Sequence, residues 1–182
     1  MLRKETYRGQ KYIKEDVSKL FIEAFPEDER PPLEIFLKSL DKKEITLLAF
    51  YQENTFIGFA YLTIFEDICC LYFFAVSASY RHQGYGGQIL ETIKEEYQDY
   101  VLMLCYEEVD PKYQNYEERV LRKRFYLSHG FKDNNIKTNE YGVIYETAYI
   151  GSHRVSFSKY LEIFKMVFGP GHEKYVTEAT KY

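Results

Sequence analysis

Tryptophan is absent from this sequence, and cysteine, methionine and histidine are scarce, at three, three and four residues in 182. The cysteines, Cys69, Cys70 and Cys105, are an odd set with two adjacent. That makes a poor disulfide framework and favours a reducing compartment. There is no Cys-x-x-Cys, and His82, His129, His153 and His172 are scattered, so no metal is expected. No long apolar stretch follows the charged start Met1-Leu2-Arg3-Lys4-Glu5. Neither a signal peptide nor a membrane span fits, and the expected location is cytoplasmic. Positive charge is also in deficit. A formal net charge of −4 argues against broad electrostatic capture of nucleic acid, so an anionic ligand would have to be held by local groups.

What is present is apolar and aromatic. Hydrophobic residues make up 46% of the chain, and 19 Tyr with 14 Phe supply the aromatic share, so the chain folds around a substantial core. At this length one domain spanning 1–182 is expected. Residues 17–25 carry Val17, Leu20, Phe21, Ala24 and Phe25 at helical spacing, ended by Pro26 and Glu27-Asp28-Glu29. Pro31-Pro32 opens a second short helix through Leu33, Phe36, Leu37 and Leu40. Residues 45–51 and 56–65 read as a hairpin, and 68–76 as a strand buried on both faces. Then come a helix over 88–97, a strand over 101–106, and a helix over 116–129 closed by Gly130. A strand over 143–150 and an amphipathic helix over 160–168 complete the order, which describes an α/β fold with a mixed sheet.

Chemistry concentrates between the buried strand 68–76 and the helix after it. Gly84, Gly86 and Gly87 fall within four positions there. Glycine lets a ligand approach the main chain closely. A helix N-terminus offers unpaired N–H groups and the positive end of the macrodipole. Together these make a phosphate or pyrophosphate site, to which Arg81 can add a charge-assisted bond. Two familiar phosphate loops fail on spacing. A Rossmann loop needs glycine where Ile89 stands, and a P-loop needs Gly-Lys where Gly87 is followed by Gln88.

The surviving pattern, Arg81-x-x-Gly84-x-Gly86 within Phe74-Ala75-Val76-Ser77-Ala78-Ser79-Tyr80-Arg81-His82-Gln83-Gly84-Tyr85-Gly86-Gly87, resembles the signature of the GCN5-related N-acetyltransferases (GNAT family). A second stretch agrees: Phe125-Tyr126-Leu127-Ser128-His129-Gly130-Phe131 resembles the family's Tyr-x-x-x-Gly-Phe segment. The resemblance covers roughly residues 45–150, and the segment 25–32 is similar to one in uncharacterised bacterial members. It implies a central, mostly antiparallel sheet with splayed middle strands, flanked by helices. It further implies acetyl-CoA as co-substrate, bound by Ala75, Val76 and the loop Arg81, His82, Gln83, Gly84, Tyr85, Gly86 and Gly87. Transfer would go to an amine by direct attack, with the thioester carbonyl polarised by a backbone N–H near Val76. Tyr126 would be the acid for the departing thiolate.

One position departs from the family. Where many members place an Asn that touches the pantetheine arm, this chain has Arg119, and Asn115 lies one helical turn earlier as a substitute. For the base, Glu107 and Glu108 follow the strand 101–106, whereas Glu66 and Asp67 fall at the far end of the neighbouring strand. Arg119, Arg122 and Lys123 share helical spacing and read as a solvated face pairing with Glu117 and Glu118. A non-catalytic acyl-CoA-binding or sensing domain on the same fold is the alternative reading. Self-association through residues 160–168, giving a homodimer, is a third.

Overall fold

The computed structural model describes residues 2–27 and 30–179; Asp28 and Glu29, expected to end the first helix and to belong to the segment 25–32, lie outside the described residues. Eight strands form one open sheet in the order β1-β2-β3-β4-β5-β7-β6-β8. The elements are β1 (Leu2–Thr6), α1 (Lys11–Ala24), α2 (Leu33–Ser39), β2 (Ile45–Gln52), β3 (Thr55–Phe65), β4 (Ile68–Val76), α3 (Tyr85–Glu96), β5 (Val101–Glu107), α4 (Tyr116–Ser128), β6 (Lys132–Glu140), β7 (Val143–Ile150), α5 (Phe157–Phe168) and β8 (Val176–Ala179). Among the described residues the β4–β5 pair is parallel and the other six pairs are antiparallel, so the sheet is mixed as expected.

Strand alternation divides the core between the two faces. On one face Leu62, Leu71, Leu102 and Leu104 pack under Ile89, Leu90 and Ile93 of α3 and Tyr126 of α4. On the other, Phe59, Tyr61 and Phe73 meet Ile13, Val17 and Phe21 of α1 and Phe36 of α2. Ile68, Cys70, Val101 and Met103 meet Tyr160, Ile163 and Phe164 of α5 on that same side. Cys69 and Cys70 are therefore buried in opposite layers, and all three cysteines are free thiols.

Three strands have no counterpart in the sequence pattern. β1 and β8 lie at the two edges of the sheet and are short and charged, as edge strands commonly are. β6, Lys-Asp-Asn-Asn-Ile-Lys-Thr-Asn-Glu, is polar because its ladder is interrupted between Asp133 and Lys137, with Asn135 at φ +61°. Buried Asn134 fills the gap: its side-chain amide accepts from Val155 N at 2.9 Å and donates to Val155 O at 2.8 Å, as a peptide group would. No helix of the described residues is long and apolar enough to cross a membrane.

Candidate active site

β4 and β5 pair only from Ile68↔Val101 to Leu71↔Leu104. Beyond that point β4 stays with β3 and β5 stays with β7, so the two central strands splay apart. The divergence has a local cause. Against β3, Tyr61 opposes Phe73 and Leu62 opposes Leu71, which leaves Tyr72 as the extra residue of a β-bulge. Bulges bend the strand that carries them, and this one starts where pairing with β5 stops. At the other end of the opening, Gly58 of β3 lets the strands approach closely: a Cβ there would lie 2.3 Å from Ala75 O.

The opening presents backbone as well as side chains. Ser77 N donates to Ile57 O at 2.8 Å, toward β3. Strand amides alternate in direction, so Val76 N–H points the opposite way, into the opening. Arg81 lies at the mouth and donates through Nε to Val76 O at 3.0 Å. A short 3₁₀ turn (Ala78–Tyr80) leads to Gly84, which caps α3 at φ +82° with open space over its Cα. No side chain caps α3, and its first amide to bond within the helix is Gln88 N, to Gly84 O. The N–H groups of Tyr85, Gly86 and Gly87 are thus left for another acceptor. These groups suit a pyrophosphate.

Gly86 and Gly87 have a further reason to be glycine. A Cβ on Gly86 would sit 3.2 Å from Phe125, and one on Gly87 would sit 2.8 Å from His129 Nε2. The α3 N-terminus therefore rests directly on α4. That contact brings the sequence's two family stretches together, and it places His129, which the sequence reading passed over, beside the cradle.

α4 carries its polar groups inward, against the expectation of a solvated face. Arg122 pairs with Glu107, Lys123 with Glu146 at 2.5 Å, and Arg119 is buried, so pairing with Glu117 and Glu118 is not what holds them. A surface helix paired along its own length would gain only ~0.5 kcal/mol per pair, whereas leaving Glu107 or Glu146 buried and unpaired would cost several. Arg119 donates through Nε to Asn115 Oδ1 at 2.7 Å and through Nη1 to Glu108 O at 3.0 Å, and covers the Tyr113 ring. These two residues pin the β5–α4 loop to the helix.

Tyr126 lies one turn beyond Arg122 on α4, stacked on Tyr106 with centroids 5.9 Å apart. Burial pushes its hydroxyl up to about 12, and the nearby Arg122 charge pulls against that rise. Glu107 is the last residue of β5 and is buried. Glu108 takes Lys137 on Oε1 at 2.8 Å and Lys112 on Oε2 at 3.0 Å. Burial raises this carboxyl, but the two ammonium groups outweigh it and hold it below the ordinary value. Glu66 and Asp67 sit at the closed end, where Asp67 O receives Val101 N, as their sequence position implies.

The opposite face of the opening holds a carboxylate that sequence spacing did not single out. Glu140 is buried and accepts from Thr138 Oγ1 at 2.7 Å, from Tyr72 Oη at 3.4 Å and from Tyr160 Oη. Burial pushes it above the ordinary carboxylate value in spite of these donors. Cys105 is half-buried nearby, its thiol pushed well up by burial.

A sheet opened between two central strands, beside an uncapped helix N-terminus, is the architecture that the family resemblance implied. The model of the acetyltransferase (GNAT) domain matches residues 43–133, half of the chain, and the chain belongs to that family. No curated protein matches it in sequence. Among solved structures it is similar to a GNAT-family protein from Bacteroides thetaiotaomicron (TM-score 0.72, 20% identity, 92% of this chain and 98% of that one). It is also similar to the ribosomal-protein-S18-alanine N-acetyltransferase from Escherichia coli (0.64, 16%, 86% and 97%). A third is a GNAT family acetyltransferase from Elizabethkingia anophelis with acetyl-CoA bound (0.60, 15%, 83% and 98%). At these identities the likeness establishes the shared fold.

Proposed function

We propose that the chain, as one domain, transfers an acetyl group from acetyl-CoA to an amine by direct attack. The observation that carries this reading is the junction of the β4–β5 opening with the uncapped α3 N-terminus. Pyrophosphate would lie on the amides of Tyr85, Gly86 and Gly87 with Arg81 at its edge, and the pantetheine arm would run between the strands past Ala75 and Val76. Val76 N–H would polarise the thioester carbonyl, and Tyr126 would supply the proton to sulfur. The E. anophelis structure, which contains acetyl-CoA, supports this choice of co-substrate by analogy of fold.

An acyl-cysteine route is unsupported, because burial holds the Cys105 thiol in its neutral form. Glu108 is a poor base, since two ammonium groups keep it ionised and occupied. Glu107, paired to Arg122, serves as an anchor, and the acceptor reacts as its neutral fraction. Asn115 and Arg119 set the floor of the pantetheine channel by fixing the β5–α4 loop.

Calorimetry with acetyl-CoA tests the cofactor reading. Arg81 is exposed, so Arg81→Glu should fold normally and weaken binding at least tenfold. Undiminished binding in that variant would overturn the cradle assignment. Thiol release across pooled amines then separates an enzyme from a domain that only senses acyl-CoA.

A further inference from the structure

We infer that Arg122 is the cation that stabilises the departing coenzyme A thiolate, and that Glu107 holds it in place. The inference rests on the proposed acetyl-CoA reading and adds a residue to it. Glu107 ends β5 beyond the last residue paired to β4, so its carboxylate belongs to the open half of the strand pair. Arg122 reaches that carboxylate from α4. A carboxylate engages at most two of the five guanidinium N–H donors in bidentate fashion, which leaves three for another acceptor. The Arg122 side chain is still 40% exposed while Glu107 is 6% exposed, so the anchor is buried and the guanidinium side chain stays partly accessible. Arg122 and Tyr126 are four residues apart on one helix and therefore project from the same face. The Arg122 charge is close enough to act on the Tyr126 hydroxyl, so a sulfur at that hydroxyl would lie within its field.

Tyr126 alone is a weak acid for the task, since burial in an apolar stack opposes its phenolate. When the acceptor nitrogen bonds to the acetyl carbon, the C–S bond breaks and its electron pair remains on sulfur. The surplus proton on nitrogen balances that charge. Tyr126 gives its hydroxyl proton to sulfur, and the phenolate regains one from nitrogen. Until that exchange the charge on sulfur, and then on Tyr126 oxygen, lies against Arg122. The guanidinium neither gains nor loses a proton, which suits a group that stays charged at any working pH.

The test needs no acceptor. Affinities of CoA and of desulfo-CoA are measured by calorimetry from pH 6.5 to 9.5 on the full chain. CoA should gain on desulfo-CoA as pH rises, up to tenfold for each unit by which the bound thiol is made more acidic. In Arg122→Met the ratio should stay flat across the pH range, whatever the change in the affinity for desulfo-CoA itself. Removing Arg122 strands the buried Glu107 charge, so Arg122→Met/Glu107→Gln provides a second variant without that burden, and it should give the same flat ratio. A flat ratio in the wild type, or a rise that survives in both variants, overturns the inference. Failure of the wild type to bind either ligand would instead overturn the cofactor reading beneath it.

Discussion

The first four residues of β4 and the last five belong to the same strand but do different things. Ile68, Cys69, Cys70 and Leu71 are buried and laddered to Val101, Leu102, Met103 and Leu104, closing the sheet as any parallel pair would. Residues 72–76 face no partner in β5, and the matching end of β5 carries Cys105, Tyr106 and Glu107. A single extra residue, Tyr72, separates the two halves. The closed half supplies stability, while the open half carries backbone groups and charges that need occupants. A site can thus be made by interrupting a ladder inside a core, where the flanking strands supply the rigidity.

Substitutions in the two halves should therefore separate in what they damage. Leu104→Ala, in the closed half, should cost about 2–5 kcal/mol of stability in urea denaturation. Tyr126→Phe, beside the open half, should cost about 1 kcal/mol or less in the same experiment. With any acceptor that thiol release identifies, it should slow turnover by roughly 10²–10⁴-fold. Equal losses of stability in both would erase the distinction between the halves.

Next in size is Gly58→Ala. Its methyl would meet Ala75 O at 2.3 Å, a backbone contact that cannot rotate away. The cost should be about 1–3 kcal/mol, the range for overpacking. Because the strain would fall on the open half of β4, CoA affinity should drop as well. A stability loss with CoA affinity intact would show that the β3–β4 approach does not shape the opening.

A smaller effect concerns pH. Glu140 has its folded carboxyl raised by burial, so the neutral form is favoured in the fold. Its contribution to stability is complete below the ordinary carboxylate value and is lost as pH rises through the raised one, at ~1.4 kcal/mol per unit of displacement. Glu140→Gln should therefore gain melting temperature relative to the wild type between pH 4 and pH 7. A difference independent of pH would show that Tyr72, Thr138 and Tyr160 fully offset the burial of this charge.

Much of this arrangement was legible from local pattern. β4 falls where the apolar run 68–76 places it, β7 where a strand is expected over 143–150, and Gly130 closes α4 at φ +93° as its sequence position implies. The position of the glycine loop at the α3 N-terminus and of Tyr126 on α4 was legible because their residue types and spacing are local. The bulge at Tyr72 was not, since it depends on which residues of β3 stand opposite. Nor were the inward pairs of Arg122 and Lys123, because α4 alone offers Glu117 and Glu118 as nearer partners and the sheet supplies better ones. β6 was hidden by its polar composition, explained only once Asn134 is seen bonding Val155.

Amide-resolved NMR during a CoA titration tests the central contrast most directly. The account predicts large shifts at Val76, Tyr85, Gly86 and Gly87, with Ile68, Cys69, Cys70 and Leu71 nearly unmoved. Binding that shifts the closed half instead, or that leaves the α3 amides in place, would contradict it.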